Sequence, residues 1–152
     1  MKNLYATGFL AVCLLVSKVT TAQEPPFVKQ QIQDKPLLFS ALPDKFECTL
    51  PELEKVSTSR TSEKITLQFG KFTFTGEVVA RVQRSENLQS INIRSTNYPG
   101  ALFNISIFTQ ADHSKKISGR IIHPQSGDVL ILTEENNRYF LQKQSQKFFM
   151  TE

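Results

Sequence analysis

The sequence predicts a mainly β domain: a bent antiparallel sheet or partly open barrel of about eight strands, with one short N-terminal helix. A two-sheet β-sandwich is the alternative. Three observations carry the prediction. From Glu63 onward, apolar side chains recur at every second position, the period at which a strand turns one face to a core. Clusters such as Asn97-Tyr98-Pro99-Gly100 and His123-Pro124-Gln125-Ser126-Gly127-Asp128 interrupt that pattern at strand-length intervals and have turn chemistry. One segment only, around Leu50, carries a helical stripe instead.

The chain opens on Met1-Lys2-Asn3 and passes into the apolar run Gly8-Phe9-Leu10-Ala11-Val12-Cys13-Leu14-Leu15-Val16. That run is shorter than the about 20 residues needed to cross a bilayer. Thr20-Thr21-Ala22 follows as a small-residue cleavage pattern. Residues 1–22 are therefore expected to be a signal peptide cut before Gln23, which implies a secreted or periplasmic protein. Cys13 follows the bulky Val12 inside the run and is read as part of the discarded peptide, not as a lipidation site. No second apolar run follows, so no stable membrane insertion is expected after cleavage.

Residues 23–36, beginning QEPPFVKQQIQDK, are polar and proline-bearing and read as a flexible leader. A single β-rich domain is expected over residues 37–152, starting with the apolar Leu37-Leu38-Phe39. Thr49-Leu50-Pro51-Glu52 has the spacing of a capping box, with proline in the first turn. Phe46, Leu50, Leu53 and Val56 fall on one stripe of the short helix that follows. Ser57 to Ser62 reads as a polar loop closing it.

Ile65, Leu67 and Phe69 share a strand face, and Gly70-Lys71 reads as a two-residue hairpin turn. Phe72, Phe74, Val78, Ala80 and Val82 follow on one face, with a bulge or bend expected at Gly76. Ile91 and Ile93 point inward from the next strand, and Phe103, Ile105 and Ile107 from the one after it. Lys116 to Lys143 contains three strands, the last entered across Asn136-Asn137. Val129-Leu130-Ile131-Leu132 is apolar on both faces, so its second side is expected to lie under the helix and Leu37–Phe39. On that reading Ile131→Asp abolishes folding, whereas His123→Ala leaves the thermal midpoint nearly unchanged. Phe148-Phe149-Met150 is expected to form the last strand. With 12 phenylalanines and no tryptophan, the interior should be built from large rings worth about 1.5–3 kcal/mol each when buried.

The formal net charge of +4 includes Lys2 and Lys18 of the expected signal peptide; the rest of the chain is nearly balanced. Nucleic acid is not an expected partner, because phosphate binding needs clustered cations, and Arg81, Arg84, Arg94, Arg120, Arg138, Lys143 and Lys147 are scattered. Beyond Cys13 the one cysteine is Cys48, so no internal disulfide is expected. A lone thiol beside Phe46, Glu47 and Thr49 is in a setting that raises its pKa, the reverse of an activated nucleophile.

His113 and His123 lie on different turns without zinc-ligand spacing, and Asp112-His113 reads as a solvated turn. Glu52 and Glu54 share the helix, and Glu134-Glu135 sits at a hairpin end, so no carboxylate pair converges. Asn104-Ile105-Ser106 matches a glycosylation acceptor but falls inside a strand. No catalytic residue, metal ligand or cofactor-binding residue is assigned, and no cofactor is expected.

The sequence thus points to an exported, non-catalytic binding or interaction module, its partner an unknown protein or a small apolar ligand. In element order alone, one helix followed by a meander resembles cystatin-like arrangements, which implies a secreted peptidase inhibitor or regulator as an alternative. An enzyme with an unrecognised site is the second alternative.

Overall fold

The computed structural model describes residues 35–145. The signal-peptide assignment, most of the leader and the strand expected at Phe148-Phe149-Met150 lie outside those residues. In chain order the elements are β1 (Lys45–Cys48), α1 (Leu50–Thr58), β2 (Lys64–Phe69), β3 (Phe72–Ser85), β4 (Leu88–Ser95), β5 (Leu102–Thr109), β6 (Lys115–Ile122), β7 (Asp128–Glu135) and β8 (Arg138–Ser145). All eight strands belong to one antiparallel sheet ordered β1-β8-β7-β6-β5-β4-β3-β2. The bent-sheet expectation holds, and the described strands do not divide into a sandwich.

From β2 to β8 each strand pairs with the next along the chain, and β1 returns to pair with β8. The sheet curls until its edge strands, β1 and β2, approach each other without a ladder between them. The result is a half-barrel. Two-residue turns set much of the register: Phe69 faces Phe72 across Gly70-Lys71, where Gly70 takes φ 61°. Asn136 and Asn137 both adopt positive φ, 52° and 61°, between the paired Glu135 and Arg138, the backbone that matches strand twist in a tight hairpin.

The concave face holds the core. Leu67, Phe74, Ile91, Ile93, Phe103, Ile105, Ile121, Leu130 and Leu141 are buried there in one cluster with Phe39, Leu53 and Val56. Alternation along β2, β4 and β5 follows the period-two reading residue by residue.

β3 departs from it. The strand runs unbroken through Gly76, where an added Cβ would lie 2.5 Å from the Arg94 carbonyl oxygen, so this glycine serves a close strand approach and not a bend. The ladder with β4 shifts instead between Val78 and Ala80. One extra residue there exchanges the faces of the residues that follow, as far as a second shift between Gln83 and Ser85. Arg81 consequently stands opposite the buried Ile91, while Val82, expected inside, is exposed opposite Ser90.

Turns β3–β4, β5–β6 and β7–β8 lie at one mouth of the half-barrel, and α1 lies across it. Leu53 and Val56 are the inward stripe of α1, both fully buried. Two sequence expectations change here. Phe46 belongs to β1, opposite Leu141, and not to the helical stripe. The capping box does not form: Thr49 makes no side-chain cap bond, and the Glu52 carboxylate reaches away from it to Lys55 Nζ at 2.5 Å and the Gln68 N–H at 2.8 Å. That second bond covers a donor on the open edge of β2, so Glu52 joins helix to sheet.

Residues 35–42 form a strap across the other mouth. Phe39 is fully buried, its ring 6.4 Å from Phe72 and 6.0 Å from Tyr98. Phe46 of β1 meets Phe72 of β3 at 5.5 Å, so aromatic rings bridge the gap that the ladder leaves between the sheet edges. Phe39 of the strap and Leu53 and Val56 of the helix therefore pack with the concave core, and the second face of β7 is covered at Val129 but less so at Ile131. Val129 is buried outside that cluster, and Ile131 is only half-buried on the convex side. Leu130, fully buried, occupies the central position that the sequence reading gave to Ile131.

Candidate functional site

Among the described residues the concave interior is occupied by side chains, so attention falls on its mouths, where barrels commonly place ligands. At the helix mouth, a cleft of about 230 Å³ opens between α1 and the β5–β6 hairpin. Its lining is Leu50, Glu54 and Ser57 on one wall and His113, Lys115 and Ile117 on the other. Leu50, Glu54 and Ser57 follow each other at spacings of four and three, which puts them on one stripe of the helix. This stripe lies beside the one that buries Leu53 and Val56, so packing the helix inward aims these three at the hairpin.

The hairpin wall has its own local cause. The Asp112 carboxylate accepts from the Ser114 N–H at 2.9 Å and from its hydroxyl at 2.6 Å. Those hydroxyl and backbone bonds from Ser114 hold the Asp112 carboxyl below its ordinary value. Between them His113 sits in the left-handed region at φ 65°, a conformation non-glycine residues enter at some cost. Lys115 opens β6 on the same face as the buried Ile117. Behind them, the Tyr139 hydroxyl accepts the Ile117 N–H at 3.2 Å. Burial raises the Tyr139 pKa, a shift its bond to Ile117 opposes.

The cleft thus sets an apolar side chain and a carboxylate on the helix, Leu50 and Glu54, opposite an apolar side chain, an ammonium and an imidazole on the hairpin, Ile117, Lys115 and His113. Among the described residues neither Glu54 nor Lys115 has an ion-pair partner within the 4.0 Å of a salt bridge. Leu50 remains 46% exposed at the rim.

The helix wall is held in place from behind. Arg81, turned inward by the β3 bulge, donates to the carbonyls of Ser59 at 2.6 Å, Val56 at 3.3 Å and Ser57, and to Gln89 Oε1 at 2.8 Å. A cation on the last carbonyls of a helix satisfies acceptors that have no partner within the helix and complements its dipole.

A smaller cleft of about 170 Å³ lies at the strap mouth, lined by Pro36, Leu37, Leu38, His123, Gln125 and Ser126. His123 is fully engaged there. Its Nδ1 accepts the Gln125 N–H at 3.2 Å and its Nε2 is 3.1 Å from the Pro99 carbonyl, so the ring ties two loops together. That position gives His123 a bridging role that the expectation of an indifferent His123→Ala did not include.

The remaining candidates are structural. Cys48 is 1% exposed, opposite Tyr139, and burial pushes its thiol up to about 12. Glu135 pairs with Lys45 at 2.5 Å, and Glu47 with Arg138, whose Nε lies at 2.8 Å. That pairing lowers the Glu47 pKa. Asn104 donates through Nδ2 to Asn92 Oδ1 at 2.7 Å in the middle of β5, so the acceptor nitrogen of the glycosylation pattern is already used. Among the described residues no group of three or more His, Cys, Asp or Glu is placed to hold a metal ion, and no helix is long and apolar enough to cross a membrane.

Fold and site together define a class: a curled antiparallel half-barrel closed by a helix and a strap, with an amphoteric cleft at the helix mouth. No protein family model, curated protein or solved structure matches the chain. Sequence reasoning considered Glu54 and His113 separately and dismissed both. The available signal was the stripe Leu50, Glu54, Ser57, an apolar residue grouped with polar ones on the helix face not needed for the core.

Proposed function

We propose that this chain is an exported, non-catalytic binding module whose ligand enters the cleft between α1 and the β5–β6 hairpin. The observation that carries the reading is the convergence, on rigid elements, of exposed apolar surface at Leu50 with Glu54 and Lys115, which have no ion-pair partner among the described residues. A site built on a helix and a strand keeps its geometry, and preorganisation is what lowers the cost of binding. Nucleophile and base do not meet: the Cys48 thiol is buried and protonated, and the histidines sit at opposite mouths. The filled concave interior favours a ligand held at the mouth over an apolar ligand enclosed inside. Export rests on the signal-peptide pattern of residues 1–22.

The test is a fragment screen read by binding, repeated on Leu50→Arg and Lys115→Glu. Both positions are exposed, so the fold tolerates the changes. Fragments that bind the wild type should lose affinity for both variants. Fragments that bind all three proteins equally would place the site elsewhere.

A further inference from the structure

Resting on that reading of the cleft, the geometry points to a ligand class: we infer that the cleft takes a small zwitterion of amino-acid size with an apolar side chain. Size comes first. About 230 Å³ falls below the about 300–1,000 Å³ of pockets that enclose drug-sized molecules, and the cleft is open to solvent on one side. A molecule of a single residue's bulk fits; a lipid or an extended peptide has nowhere to place most of its surface.

Charge supplies the second constraint. Glu54 stands on the helix wall and Lys115 on the hairpin wall. Of the cleft's lining residues only Glu54, His113 and Lys115 are titratable; nearby, Glu52 pairs with Lys55, Glu135 with Lys45, and Arg81 with the helix carbonyls. Among the described residues Glu54 and Lys115 have no such ion-pair partner. A purely cationic ligand satisfies Glu54 but meets Lys115 as a like charge, and a purely anionic ligand meets the reverse. A ligand carrying an ammonium and a carboxylate a few ångströms apart satisfies both walls at once, and charge-assisted hydrogen bonds are the stronger kind. His113, beside Lys115, offers a further donor to the carboxylate.

The apolar lining supplies the third. Each wall carries one apolar side chain, Leu50 on the helix and Ile117 on the hairpin, so the ligand's own apolar part has these to face. An α-amino acid with an aliphatic side chain has this arrangement, with both charges on one carbon and the chain diverging from it. No covalent step is involved.

The experiment uses four probes on the full protein at neutral pH: L-leucine, N-acetyl-L-leucine, L-leucinamide and N-acetyl-L-leucinamide. They carry both charges, the carboxylate alone, the ammonium alone, and neither. Binding is read by calorimetry and by amide shifts in the cleft. Leucine should bind, and each singly capped probe about tenfold more weakly, the loss expected for one charge-assisted bond. Glu54→Gln should erase the difference between leucine and N-acetyl-L-leucine while keeping the need for a carboxylate. Lys115→Met should do the converse. Equal affinity for all four probes at the cleft overturns the zwitterion inference and leaves the binding site standing. Failure of all four, while fragments still bind the cleft, also overturns the ligand class alone. Failure of every probe and fragment there removes the site itself.

Discussion

The carboxylate of Asp128 receives the backbone N–H of Phe39 at 2.8 Å, with Phe39 and Asp128 both buried. Its other oxygen takes the Leu38 N–H at 2.9 Å and the Ser126 hydroxyl. Ser126 Oγ and the Gly127 N–H also reach the Pro36 carbonyl, at 3.1 and 2.9 Å. The strap is thus held by one buried acid whose oxygens are satisfied by backbone donors, the condition under which a buried charge is tolerated. Phe39 is seated in the aromatic cluster as a result.

Asp128→Ala strands the buried Phe39 N–H and leaves the part-buried Leu38 N–H only the Ser126 hydroxyl, 3.1 Å away. The expected loss is about 3 kcal/mol, from hydrogen bonds to a charged group at about 1.5–3 kcal/mol each, checked by urea unfolding. Amide exchange should accelerate first at Leu38 and Phe39. Unchanged protection of those amides would mean that the strap is held by Phe39 packing alone.

Arg81 makes the equivalent attachment at the helix mouth. Arg81→Met retains much of the apolar stem but leaves the carbonyls of Val56, Ser57 and Ser59 without their donor, for an expected loss of about 2 kcal/mol. Arg81→Lys should recover little, because one ammonium cannot replace a guanidinium fork spread over several carbonyls. Full recovery by lysine would show that charge, not fork geometry, matters.

Much of this architecture is legible in the sequence and one part of it is not. Period-two alternation marks the inward residues of β2, β4 and β5, and Asn136-Asn137 marks its hairpin, because burial and turn chemistry are local. The β3 bulge leaves no such mark: Val78, Val79 and Ala80 are all apolar, so either face fits, while Gly76 draws attention to the wrong place. From that shift follow the inward Arg81, the exposed Val82 and the anchoring of α1. The cleft was hidden for a different reason. Glu54 and Lys115 are remote in sequence and meet only because the meander returns β6 to the mouth that α1 crosses.

Core substitutions should separate the two faces of β7. Leu130→Asp puts a charge into the fully buried cluster and is expected to abolish cooperative unfolding. Ile131→Asp, on the half-buried convex side, should leave a folded protein of reduced stability. Circular dichroism melts of the pair decide this, and the opposite ranking would contradict the placement of the core.

Cys48 gives an alkaline prediction. Its thiol is raised from an ordinary 9.0 to about 12 by burial, so the unfolded chain loses this proton first. Between those values each increase in pH favours unfolding. Stability should fall above about pH 9 in the wild type and less so in Cys48→Ala, and a thiol reagent near pH 8 should label only unfolded protein. Rapid labelling under native conditions would show an accessible thiol.

Glu52 gives the acid counterpart. Its bonds to Lys55 and then to the Gln68 N–H hold the carboxyl below its ordinary 4.5. The stabilisation is complete above that value and disappears as pH falls through the lowered one, because the unfolded chain takes up the proton first. Thermal midpoints should therefore fall more steeply on acidification in the wild type than in Glu52→Gln. Parallel slopes would mean that the link from α1 to β2 does not depend on the charge.

The proposed function puts the ligand at the helix mouth and not within the half-barrel. The most direct measurement is a map of amide shifts on the ¹⁵N-labelled protein titrated with L-leucine. Perturbations are expected on both walls together, at Leu50, Glu54 and Ser57 and at His113, Lys115 and Ile117, with Phe74 and Phe103 unmoved. Shifts centred on Phe74 and Phe103, or confined to the convex face, would contradict it.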